Sequence, residues 1–129
     1  MMLFKKRRPF TSIKRGKYAE LKAASWLQRK GLKLVANNYC CRQGEIDLIM
    51  LDETQLVFIE VRYRKNTLYG SGADTVTATK QAKIRKAAQH FLSDQPKLAN
   101  LSCRFDVVSA QPGQSSDTLC LDWIKNAFQ

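Results

Sequence analysis

Apolar and polar positions follow two periods along this chain, and each change of period marks an element. From Lys14 to Lys30 the spacing is helical. At about 100° per residue, Ala19, Ala23, Trp26 and Leu27 gather on one face, with Lys22 and Arg29 to one side and Lys17 to the other. Gly31 is the expected stop, and Leu32–Ala36 reads as a short strand. Period two then takes over. Glu45–Leu51 and Leu56–Arg64 read as strands joined by the polar Asp52-Glu53-Thr54-Gln55, a hairpin signature. After a loop with Gly70-Ser71-Gly72, a second helix is expected over Thr79–Ser93, capped by Thr77 or Thr79, its inner stripe Ile84, Ala87, Ala88 and Phe91. Cys103–Ala110 reads as a strand, Gln111–Thr118 as a polar turn region and Leu119–Ile124 as a last strand or short element. The order α-β-β-β-α-β-β predicts an α/β fold with a mixed sheet.

At 129 residues the chain has room for one domain, expected over 14–129 behind a flexible basic arm at 1–13. Its 44% hydrophobic and 26% charged residues place it with globular chains and exclude a disordered one. No apolar run reaches the roughly 18 residues of a membrane span, and the start turns basic before an apolar leader can form. A cytoplasmic location without membrane contact is the expectation. Cys40, Cys41, Cys103 and Cys120 form no CxxC pair and His90 is the single histidine, so no zinc site is expected. The thiols read as reduced and in or near the core.

Charge points to a partner. Lys and Arg number 22 against 11 Asp and Glu, a net +11. Residues 1–42 hold twelve basic side chains and one acid, Glu20, whereas 43–129 hold ten of each sign. Such clustering is the footprint of a phosphate-backbone binder. Nucleic acid is therefore the expected partner, with Lys14, Arg15, Lys17, Arg42 and Arg64 as candidate contacts.

Strand parity then sorts the acids. Glu45, Asp47 and Ile49 share one face of the first hairpin strand, with Ile46, Leu48 and Met50 opposite. Phe58, Glu60, Arg62 and Arg64 share a face of the second, with Val57, Ile59, Val61 and Tyr63 opposite. Asp47 and Glu60 can project from neighbouring strands onto one surface. Glu60 follows Leu56-Val57-Phe58-Ile59, where a carboxylate needs a cation or hydrogen bonds; a buried ion pair with Arg62 or Arg64 is the plain alternative. Glu20 lies on the flank of the first helix beside Gly16, Ala23 and Ala24, free either to pair with Lys17 or to approach the sheet. Three hard oxygen donors suit Mg²⁺ or Mn²⁺, and an ion so held beneath a basic surface suggests phosphodiester hydrolysis. Lys80 points inward from the second helix, as a catalytic group or as a side chain snorkelling past Ile84 and Phe91. His90 falls on the outward face with Lys83 and Lys86.

Gly44-Glu45-Ile46-Asp47-Leu48-Ile49, Val57-Phe58-Ile59-Glu60-Val61-Arg62-Tyr63-Arg64 and Arg104-Phe105-Asp106-Val107-Val108, in this order, resemble the YraN-type family of bacterial proteins. That family resembles the Holliday-junction resolvases of the PD-(D/E)xK nuclease superfamily. The resemblance implies a restriction-endonuclease-like three-layer core, its mixed sheet flanked by two main helices, and a metal-dependent endonuclease; DNA, in junction or branched form, is the expected substrate ahead of RNA. It implies that Glu20, Asp47 and Glu60 with the backbone carbonyl of Val61 hold the metal and that Arg62 stands at the catalytic cation's position; Lys80, from its wheel position, is the further catalytic candidate. Arg62 stands where the superfamily has lysine, a departure, because a guanidinium stays charged and acts only as a donor. A non-catalytic nucleic-acid-binding protein on the same fold is the alternative. Cleavage of a symmetric junction would imply a homodimer with paired sites.

Overall fold

The computed structural model describes residues 10–64, 76–115 and 118–129, with the backbone alone for 10–15. The elements are α1 (Phe10–Arg29), β1 (Lys33–Cys41), β2 (Gly44–Asp52), β3 (Gln55–Tyr63), α2 (Ala78–Asp94), β4 (Cys103–Pro112) and β5 (Leu119–Phe128). The five strands form one sheet in the order β1-β2-β3-β4-β5. Its β3–β4 pair is parallel and the others antiparallel. A parallel pair needs a crossover, and α2 supplies it.

The helices cover opposite faces, giving three layers. Ala23 and Leu27 of α1 pack on Leu48, Met50, Val57, Ile59 and Val108. Ile84, Ala87, Ala88 and Phe91 of α2 pack on Ile46, Ile49, Leu56, Phe58 and Val107, with Phe91 edge-on to Phe58. This is the α/β architecture expected from the periodicity, element by element. Thr77 caps α2 by accepting a hydrogen bond from the Lys80 N–H. No helix among the described residues is long and apolar enough to cross a membrane.

Four details differ from the pattern. The backbone is helical from Phe10, so the last part of the expected arm belongs to α1; residues 1–9 and the Gly70-Ser71-Gly72 loop lie outside the described residues. β1 runs to Cys41 rather than Ala36. Its Asn37-Asn38 carries no hydrophobic alternation, and pairing with buried β2 (Asn37 with Leu48, Tyr39 with Ile46) holds it as a strand. Ile46 packs on the α2 side although its parity matches Leu48. Between their partners lies Asn38 at φ 52°, a left-handed residue that swaps the faces of the paired strands there. Of the cysteines, all free thiols, only Cys41 lies near the core, half-buried against the α2-side cluster; Cys40 and Cys120 are exposed on the edge strands β1 and β5, and Cys103 is exposed at the start of β4.

Candidate metal centre

The two-residue turn Glu53-Thr54 fixes the β2–β3 register, pairing Asp52 with Gln55 and Leu48 with Ile59. The next positions along are Asp47 and Glu60, whose carboxyl groups hydrogen-bond each other. Ladder pairing ends at Leu48–Ile59, and the Asp47 side chain takes over from backbone: the Val61 N–H donates to Asp47 Oδ2 at 2.8 Å. The Val61 carbonyl projects to the same side of the strand as its N–H. Two cations border the pair. Arg62 Nη1 is 3.6 Å and Lys80 Nζ 3.8 Å from Glu60 Oε2. Glu60 is 5% exposed, so these contacts act at low dielectric.

Burial, then the charge of Asp47, pushes the Glu60 carboxyl up to about 8, against the pull of Lys80 and Arg62. Burial also raises Asp47, opposed by the Val61 N–H and Lys80. Near neutrality the pair thus holds a proton that ordinary carboxyls would have lost. Between roughly pH 4.5 and 8 the folded chain binds that proton and the unfolded chain does not, so stability falls as pH rises through this window. The expected slope approaches about 1 kcal/mol per pH unit. Urea midpoints of metal-free protein at several pH values measure it. Glu60→Gln, which mimics the protonated form, should flatten the profile, and a wild-type midpoint that rises with pH would refute the shared proton.

The segment from residue 19 to 110 matches the model of the uncharacterised protein family UPF0102. A UPF0102 protein of Saccharophagus degradans is 53% identical over 88% of this chain and 91% of its own. One of Nitrosococcus oceani is 44% identical over 95% and 97%, and one of Pseudomonas fluorescens 46% over 90% and 93%. The chain belongs to UPF0102. The matched segment contains Glu20, Asp47, Glu60, Arg62 and Lys80 together with Asp106, and ends before β5.

In this UPF0102 fold the expected residues divide into groups. Asp47, Glu60, Val61, Arg62 and Lys80 come together as described. Glu20 does not join them: it lies on the α1 side of the sheet, lining a groove of about 270 Å³ with Lys17, Asn37, Asn38 and Leu48. No group of three or more Asp, Glu, His or Cys side chains placed to share an ion occurs among the described residues. The expected trio is thus a pair, because α1 covers the opposite face from Lys80. Arg42 is exposed in the β1–β2 turn near Lys80 and Lys83, and Arg64 lies just past the end of β3 with its N–H donating to the Ala110 carbonyl. The side chains of Lys14 and Arg15 lie outside the described residues. His90 is exposed as expected, and its ring hydrogen-bonds the Tyr39 hydroxyl.

Sequence reading gave Asp106 no role, yet it is fully buried on β4, paired with Ile59 one position along from Glu60. Its carboxylate accepts from Arg104 Nε at 3.0 Å, Trp123 Nε1 at 2.8 Å and the Asn126 N–H at 2.8 Å. Arg104 also reaches Asp52 and Gln55, both at 2.9 Å. An acid inside the apolar run of β4 was the available signal. Asn126 at φ 53° forms the bulge that turns its N–H inward.

Proposed function

We propose that this chain is a divalent-metal-dependent endonuclease acting on nucleic acid, DNA in preference to RNA. The observation that carries this reading is the buried contact between Asp47 and Glu60, flanked by Lys80 and Arg62. Two carboxylates that share a proton offer hard oxygens in the space a cation would take, and Mg²⁺ binds through one or two carboxylates while keeping several waters. The donor set therefore fits Mg²⁺ or Mn²⁺, held by Asp47, Glu60 and the Val61 carbonyl. When bound, such an ion supplies Lewis-acid polarisation of a phosphoryl oxygen and a water of lowered pKa.

The chain's own groups supply the rest. The Val61 N–H fixes the orientation of Asp47. Arg62 is placed to clamp a phosphate oxygen and cannot readily lose a proton. Lys80, reaching in from α2, is the remaining group able to orient or deprotonate an attacking water. The excess of basic residues in the first third of the chain favours backbone-dominated, sequence-tolerant binding.

The test is a cleavage screen with Mg²⁺ and Mn²⁺ over duplex, single-strand, flap and four-way-junction substrates. Lys80→Ala should depress cleavage about 100-fold or more at saturating substrate, in line with loss of general acid–base assistance. Arg62→Lys should preserve or raise cleavage by restoring the superfamily's lysine. Junction cutting would require a homodimer with two-fold sites, checked by light scattering. The arginine at position 62 favours a second reading, a nucleic-acid-binding protein without catalysis. That reading takes over if no variant, Arg62→Lys included, cuts any substrate with Mn²⁺.

A further inference from the structure

Beside the carboxylate pair, the β1–β2 turn and the first turns of α2 enclose a groove of about 240 Å³. Arg42, Lys80 and Lys83 line it, together with Cys40, Cys41 and Glu45. We propose that this groove is a phosphate subsite that holds one phosphodiester of a nucleic-acid strand while a neighbouring one lies at Asp47 and Glu60. Three cations against one carboxylate give the lining a net positive charge. No aromatic side chain lines it, so the ligand group it fits is the phosphate and not a base.

Position and rigidity support the assignment. Lys80 belongs to both sites: it lines the groove and lies 3.8 Å from Glu60 Oε2. A strand gripped at Arg42 and Lys83 would therefore continue directly onto the carboxylates. The walls are held at a set spacing because Gly44 packs hard against α2, where a Cβ would come within 2.8 Å of the Lys83 carbonyl oxygen. Arg42 follows from one side of that contact and Lys83 from the other. The backbone separation of these two exposed side chains is therefore set before an anion arrives, and only the side chains themselves have to be ordered.

That the gripped strand is also the one cut rests on the proposed hydrolase reading, but the grip itself is testable without metal. Fluorescence anisotropy of the full chain with a labelled duplex and a labelled single strand, in EDTA, gives affinity as a function of salt. Arg42→Ala and Lys83→Ala should each weaken binding about fivefold and shallow the log–log salt slope by about one phosphate, and Arg42→Lys should restore both. Lys97→Ala, past the far end of α2 and about 25 Å away along the helix, should keep the wild-type slope. Groove variants with the Lys97→Ala profile would overturn the subsite. So would displacement of the strand by millimolar inorganic phosphate beyond the effect of chloride at equal ionic strength, which would mark a small-anion site. Shallower slopes in a chain that cuts nothing with Mn²⁺ would keep the subsite and remove the hydrolase; normal slopes in a chain that cuts would do the reverse.

Discussion

Asp47→Asn is expected to abolish Mn²⁺-dependent cleavage, with a loss of at least about 100-fold, and to melt no lower than the wild type without metal. The two halves have one cause. Asparagine keeps an oxygen for the Val61 N–H and offers its amide to Glu60, so every hydrogen bond at the pair survives. What disappears is a buried negative charge, which costs desolvation energy when no cation is bound. The same loss removes a hard donor, and metal-assisted steps draw several kcal/mol from the ion. Wild-type protein should gain melting temperature with Mn²⁺ by mass action, and Asp47→Asn should gain none. Metal affinity should climb with pH through about 8, because the ion must displace the pair's proton. Thermal melts with and without Mn²⁺ at two pH values, beside a cleavage time course, measure all of this. A variant that still responds to Mn²⁺ as the wild type does would place the metal elsewhere.

The largest stability effect is expected outside that pair, at Asp106 on the neighbouring strand. Replacement by alanine should cost about 3–5 kcal/mol, the usual penalty for breaking a buried ion pair from one side. The Arg104 guanidinium, the Trp123 indole N–H and the Asn126 N–H all lose their shared acceptor, and Asp52 and Gln55 answer only the far end of Arg104. In urea this is a fall in midpoint of more than about 1 M at a typical slope for a chain of this size. Asp106→Asn keeps the shape and part of the hydrogen bonding, so its loss should be smaller. Equilibrium unfolding of both variants separates charge from shape. A midpoint for Asp106→Ala within experimental error of the wild type would mean that the β4–β5 register holds without this carboxylate.

Position 106 also measures how far sequence reading reaches. An acid between Phe105 and Val107 is visibly out of place, but its partners lie at 104, 123 and 126, and those of Arg104 at 52 and 55. No local pattern links them. Lys83 is a similar case: the helical wheel puts it with Lys86 and His90 on the outward face, and only the docking of Gly44 onto α2 makes it a wall of the groove.

The sequence alone determined the element order, because the change between periods of two and about 3.6 is written in local side chains. It also put Asp47 and Glu60 on neighbouring strands, on faces that can meet. The fold narrowed the expected four-residue connection to a two-residue turn, which pairs Asp52 with Gln55 and leaves one register. Three further things needed the folded chain. Divergence of β2 and β3 beyond Leu48 and Ile59 hands the Val61 N–H to a side chain. The crossover brings Lys80 over Glu60, from 20 positions further along the chain. The choice of face leaves Glu20 with α1 on the other side of the sheet. Periodicity says which side of a helix is apolar; which sheet face that side covers is decided by packing among residues remote in sequence.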